Sequence, residues 1–191
     1  MPSSPVADLL AALGATLGEL GLRWYLFGAQ AALIHGAARL TADVDATVDV
    51  GAFPIQKLLE ALAGRGFDAR ISDPLEFADR TRVLPLLHRG TGIPLDLVLA
   101  GPGPEQLFLA RAEPRSIEGV TVPVAAAEDL IAMKVLAGRA KDLEDVVAIV
   151  AAHPSDLDLE ITRGTLAILE QALDRRDLIP CLERAIREAR G

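Results

Sequence analysis

Apolar residues near the start of the chain recur at Leu9, Leu10, Leu13, Leu17 and Leu20. Spacings of three and four put them on one face of a helix, predicted over Val6 to Leu20. Arg23-Trp24-Tyr25-Leu26-Phe27 then reads as a short strand stopped by Gly28, and Ala29 to His35 as a helix closed by Gly36. Between Asp43 and Val50 the pattern changes. Val44, Ala46, Val48 and Val50 alternate with Asp43, Asp45, Thr47 and Asp49, the period of two that marks a half-buried strand. Ile55 to Ala63 reads as a helix after Pro54, and Val83 to His88 and Ile93 to Leu99 as two strands joined by the turn Arg89-Gly90-Thr91-Gly92.

Gly101-Pro102-Gly103-Pro104 is the strongest local break. It reads as the end of an α/β core over residues 1–105, with residues 106–191 forming a mainly helical region packed on that core. Val120 to Val124 reads as one more strand. Helices are predicted at Ala126 to Ala137, Leu143 to Ala152, Arg163 to Asp174 and Leu178 to Ala189. The predicted fold class is α/β.

Composition narrows this picture. With 191 residues and 51% hydrophobic content, the chain can bury one sizeable core. Mean hydropathy is high at +0.32, but the longest stretch without an acidic or basic residue, Trp24 to Ala38 with His35 neutral, falls short of the about 18 apolar residues of a membrane span. No membrane association is expected. No basic residue precedes Arg23, which argues against a secretory leader. The single cysteine, Cys181, excludes an intramolecular disulfide framework and fits a reducing compartment, so a cytoplasmic protein is expected. A net charge of −8 opposes dedicated nucleic-acid binding. It suits a cationic small molecule, a basic partner protein or a bound metal equally well.

Chemistry concentrates in the acids. Asp43 and Asp45 are two apart on a predicted strand, so their side chains leave the same face. Repulsion between close carboxylates is relieved by a divalent cation with oxygen ligands, although Asp-x-Asp also occurs on ordinary exposed strands. Asp96 interrupts the apolar strand Ile93 to Leu99. A carboxylate there must be paired, hydrogen-bonded or metal-bound, or else face solvent from an edge strand, which Pro94 makes plausible. Phe27-Gly28-Ala29-Gln30 marks a strand turning into a helix, where a glycine admits a ligand to the backbone and free N–H groups suit phosphate. Lys134 lies in an apolar helical run and reads either as a phosphate contact or as a lysine snorkelling from a core helix. Lys141, Asp142 and Asp145 read as a solvated helix face with salt bridges. The histidines, His35, His88 and His153, lack metal-ligand spacing and read as structural.

The continuous segment Gly28-Ala29-Gln30-Ala31-Ala32-Leu33-Ile34-His35-Gly36-Ala37-Ala38-Arg39-Leu40-Thr41-Ala42-Asp43-Val44-Asp45 resembles the signature of the DNA polymerase β-like nucleotidyltransferases. It is most similar to the small prokaryotic branch that includes AbiEii-type toxins: a glycine turn, a helix, Arg-x-Thr and then Asp-x-Asp. Asp96 stands where that superfamily places a third carboxylate, and Glu128 to Lys134 with Arg139 to Asp145 resembles a second family block. The resemblance spans roughly residues 23–150.

It implies a small mixed sheet of the polymerase palm type. It implies an enzyme that moves a nucleoside monophosphate from a nucleoside triphosphate such as ATP to RNA, protein or a small molecule such as an aminoglycoside. Asp43, Asp45 and Asp96 would hold Mg2+ or Mn2+. Gly28, Ala29 and Gln30 would cradle the triphosphate. Beside that resemblance, Lys134 is a further candidate nucleotide contact, and Arg39 and Thr41, adjacent to the site in sequence, would either contact the nucleotide or order the Asp43 loop. An antitoxin protein would be the partner, and a homodimer through the C-terminal helices is compatible with this. One departure is Ala29, where many members carry a serine. It keeps open a second reading, an inactive relative that binds nucleotide or a partner protein.

Overall fold

The Ser4 hydroxyl accepts a hydrogen bond from the Ala7 N–H, and Pro5 opens the helix without an N–H of its own. Helix α1 (Pro5–Glu19) thus begins where the apolar stripe does, and Leu9, Leu10, Leu13 and Leu17 are buried on it. The computed structural model describes residues 4–38 and 41–191. They form two compact units, one built from residues 4–30 with Thr41–Ala125, the other from residues 31–38 with Ala126–Gly191.

The first unit holds β1 (Arg23–Phe27), β2 (Val44–Asp49), α3 (Ile55–Gly64), β3 (Phe67–Ala69), α4 (Pro74–Thr81), β4 (Val83–His88), β5 (Ile93–Leu99), α5 (Pro104–Arg111), β6 (Glu113–Ile117) and β7 (Val120–Val124). Helix α2 (Gly28–Ile34) starts in it. The strands make one seven-stranded sheet in the order β3-β4-β5-β2-β1-β7-β6. β2 runs parallel to β5 and β1 parallel to β7, and the other neighbours are antiparallel. This is the mixed α/β sheet expected.

Alternation gives the sheet two distinct faces. Val44, Ala46 and Val48 of β2 lie beside Leu95, Leu97 and Leu99 of β5, all buried. Trp24 of β1, opposite Val48, meets Gly14 of α1 on that side. The intervening positions Asp45, Thr47 and Asp49 of β2, with Asp96 and Val98 of β5, face the other way.

The sheet is larger than the pattern suggested. α5, β6 and β7 continue the first unit past residue 105, through Ala125. The Gly-Pro run breaks the chain locally but closes no unit. β5 is an interior strand, not an edge. Pro94 sits one residue ahead of the first β2–β5 pair, Val44 with Leu95, so its missing N–H deprives that ladder of nothing.

The second unit comprises α6 (Ala127–Ala137), α7 (Ala140–Ala152), α8 (Leu159–Leu173) and α9 (Leu178–Arg190), with residues 31–38. Leu130, Ile131, Val135, Val146, Ile149, Leu166, Leu182 and Ile186 form its core. Gly138, with φ 65°, closes α6 in the left-handed conformation.

Candidate active site

A single cross-strand row builds the acidic site. Asp45 is the direct partner of Asp96 across the parallel β2–β5 ladder. It is also the partner of Phe27, the last residue of β1, on its other side. On the far side of β5, Asp96 is opposite Pro85 of β4. Directly opposed residues share a face with Cβ atoms about 5 Å apart, so Asp45 and Asp96 stand side by side on the face away from α1. Both are half-buried, and Asp43, just before β2, is exposed.

Each neighbour shapes this pair. Gly28 follows Phe27 with φ +69°, and a Cβ there would run into the Asp45 carboxylate, 2.7 Å from its Cγ. The glycine therefore both makes the turn from β1 into α2 and leaves room for the Asp45 side chain. Ala29 is buried beside it. The Thr41 hydroxyl donates to the Asp43 carboxylate, ordering the loop that leads into β2. Arg39, the remaining residue of the Arg-x-Thr segment, lies outside the described residues. The Arg70 guanidinium donates to the Asp96 carboxylate in an ion pair whose side chains are 37% and 40% exposed. Sequence reasoning missed Arg70, because it lies just beyond β3 in a segment with no periodic signal.

The donor chemistry, oxygen-only and anionic, suits a hard divalent cation. Among the described residues no group of three His, Cys, Asp or Glu side chains is arranged to hold one. Asp96 is engaged by Arg70 and Asp43 by Thr41. A cavity of about 520 Å³, lined by Asp49, Gly51, Asp79, Arg82 and Gln106, opens at the other end of β2. It is about 13 Å along the strand from Asp45, and Arg82 in it already donates to the Leu99 and Ala100 carbonyls.

Lys134 sits in the helical unit. Its side chain is 5% exposed, and Nζ is 2.6 Å from Asp145 and 3.7 Å from Asp142. Asp142 also accepts from Arg139. Asp142 and Asp145 thus form salt bridges, as expected, but as buried partners of a buried lysine and not on a solvated face, because α7 begins at Ala140 and turns both toward α6. Lys134 does not snorkel. His88 is buried, with Nδ1 3.0 Å from the Thr91 hydroxyl and its ring 4.8 Å from that of Phe67. Burial pushes its pKa below 6.5, with Arg89 acting in the same direction and Asp8 opposing.

A search of curated proteins returns no match. Solved structures share the fold. An antigenic nucleotidyltransferase-like protein from Paracoccidioides brasiliensis is 20% identical with a TM-score of 0.56, over 95% of this chain and 94% of that one. The antibiotic-resistance factor ANT(2'')-Ia is 18% identical with a TM-score of 0.58, over 88% and 92%. The lincosamide antibiotic adenylyltransferase LnuA, solved with lincomycin bound, is 13% identical with a TM-score of 0.50, over 88% and 98%. At these identities the likeness is one of fold. The sequence itself matches the family described as nucleotidyl transferase AbiEii toxin, type IV toxin–antitoxin system, over residues 8–190. With a match across nearly its whole length, the chain belongs to the AbiEii family and is a nucleotidyltransferase.

Proposed function

We propose that this nucleotidyltransferase moves a nucleoside monophosphate from a nucleoside triphosphate to an acceptor hydroxyl, with Asp43, Asp45 and Asp96 as ligands for Mg2+ or Mn2+. The observation that carries the reading is the in-register pairing of Asp45 with Asp96. Two carboxylates held side by side make a strongly anionic oxygen-donor pair, which favours a divalent cation. When bound, the cation neutralises charge on the phosphate and polarises the attacking and leaving oxygens.

The protein's own share is positioning. Asp45 is fixed from both sides, by the β5 ladder and by β1 ending at Phe27. Gly28 keeps the space next to it open. The N–H groups of Gly28, Ala29 and Gln30, at the start of α2, have no partner one turn back within that helix and are the proposed triphosphate contacts. Asp96 takes the proton of the acceptor hydroxyl as the acceptor oxygen bonds to the α-phosphorus. The bond from that phosphorus to the β-phosphate oxygen breaks, and pyrophosphate leaves. Preorganised charge supplies most of the rate enhancement in such a reaction.

The cellular role we infer is that of the toxin in a toxin–antitoxin pair, with an antitoxin as its partner. The acceptor is found by incubating the protein with each α-labelled nucleoside triphosphate, Mg2+ or EDTA, and total RNA, lysate protein or an aminoglycoside. One class should become labelled in a metal-dependent way. No labelled product with any nucleotide, in Mg2+ or Mn2+, would contradict the reading.

A further inference from the structure

The cross-strand row does not stop at Asp96. The Arg70 N–H donates to the Pro85 carbonyl at 2.9 Å, which places Arg70 opposite Pro85, one position past the end of β3. Pro85 is opposite Asp96, and Asp96 is opposite Asp45. Arg70 is therefore two strands from Asp96, about 10 Å at the spacing of a sheet, a distance that its long side chain closes. Pro85 between them is buried and short, so nothing obstructs the guanidinium on its way to Asp96. The backbone bond fixes the base of the side chain. The guanidinium, partly exposed at 37%, is held by Asp96.

Resting on the metal-ligand reading of Asp96, we propose that Arg70 is a resident counter-cation for the acidic site and competes with the divalent metal for the Asp96 carboxylate. In the metal-free protein Arg70 offsets the repulsion between Asp96 and Asp45 and draws Asp96 into an ion pair. Asp96 becomes a ligand only when Arg70 lets go. The exchange disfavours binding of the free metal and favours metal that arrives with a nucleotide, whose phosphates give the released guanidinium a new anionic partner. Arg70 is thus a positioning residue, acting through Asp96.

The sign of the effect separates this role from a structural one. Damage to the site weakens metal binding, whereas loss of a competitor tightens it. Mn2+ binding to the nucleotide-free protein, followed by the EPR signal of free Mn2+, reads this directly for wild type, Arg70→Ala, Arg70→Gln, Asp96→Asn and the Arg70→Ala/Asp96→Asn pair. Both Arg70 variants should bind Mn2+ about two- to five-fold more tightly, the range for losing a partly exposed ion pair. Asp96→Asn should bind more weakly, and adding Arg70→Ala to it should change little. Unchanged or weaker Mn2+ binding in both Arg70 variants, with Asp96→Asn still weakened, would overturn the competition and leave the metal site standing. No Mn2+ binding by wild type, with or without nucleoside triphosphate, would overturn both.

Discussion

Gly28 carries two constraints at once, a left-handed backbone and the volume of the Asp45 carboxylate. A methyl group there costs about 1–3 kcal/mol in backbone strain alone and displaces Asp45 as well. Gly28→Ala should therefore lower the melting temperature and reduce transfer by more than tenfold, measured side by side on the same preparation. His88 gives a pH signature of a different kind. Its pKa is depressed by burial, so below pH 6.5 the unfolded chain binds a proton that the folded chain resists. Stability should fall as pH drops below that value and level off once the folded histidine also protonates. His88→Gln should remove this component of the pH dependence in thermal melts. The three acids were legible one by one from alternation and resemblance. That Asp45 and Asp96 share a face of one sheet was expected from their strand positions and the resemblance, and the direct pairing of the two agrees with it. What local pattern does not encode is which strands pair, so the parallel β2–β5 ladder and its register were not legible.

Among the elements, those with strong periodicity were read closely. β1, β4 and β5 were foreseen over the residues they occupy, and α1 and α3 to within a residue. β3 has three residues, too few for a period of two to show. β6 is an edge strand of Glu, Pro, Arg and Ser ending in Ile117, and only that last residue is other than exposed. α4 buries only Ala78, yet its start was readable: Asp73 caps the Glu76 N–H and Pro74 follows at the first position. The Lys134 contacts show an element-scale dependence that the isolated motif hid. The ammonium joins α6 to α7 through Asp145 and Asp142. Truncating one member of a buried pair costs about 3–5 kcal/mol, whereas replacing both with apolar residues is often close to neutral. Lys134→Ala should thus destabilise the protein strongly, and Lys134→Met/Asp145→Leu should recover much of the loss in denaturant titrations. A single variant with undiminished stability would show that the pair is dispensable.

For the whole molecule, charge sets the terms of acceptor recognition. The net charge of −8 repels nucleic acid before contact. An RNA acceptor would need a local basic patch, for which Arg39, Arg80, Arg82, Arg139 and Lys141 are the residues the sequence offers. The structure commits Arg82 to backbone carbonyls and Arg139 to Asp142. Few phosphates can then be neutralised, and at about 0.7 per phosphate for single strands the salt dependence of RNA binding should be shallow. A steep slope would contradict this. A cationic small molecule should instead lose affinity as salt screens the acidic surface.

The most direct test of the central claim, that Asp45 and Asp96 form the catalytic pair, uses an acid on the same strand as a control. Asp49 lies on the same face of β2 four residues on, paired with Arg23 at 2.6 Å. Label transfer from α-labelled nucleoside triphosphate to the identified acceptor would be compared for wild type, Asp45→Asn, Asp96→Asn and Asp49→Asn, each checked for folding by thermal melt. We expect transfer to be abolished in the first two variants, with the fold retained, and to stay within a few-fold of wild type in the third. Wild-type transfer by Asp45→Asn would contradict the assignment outright.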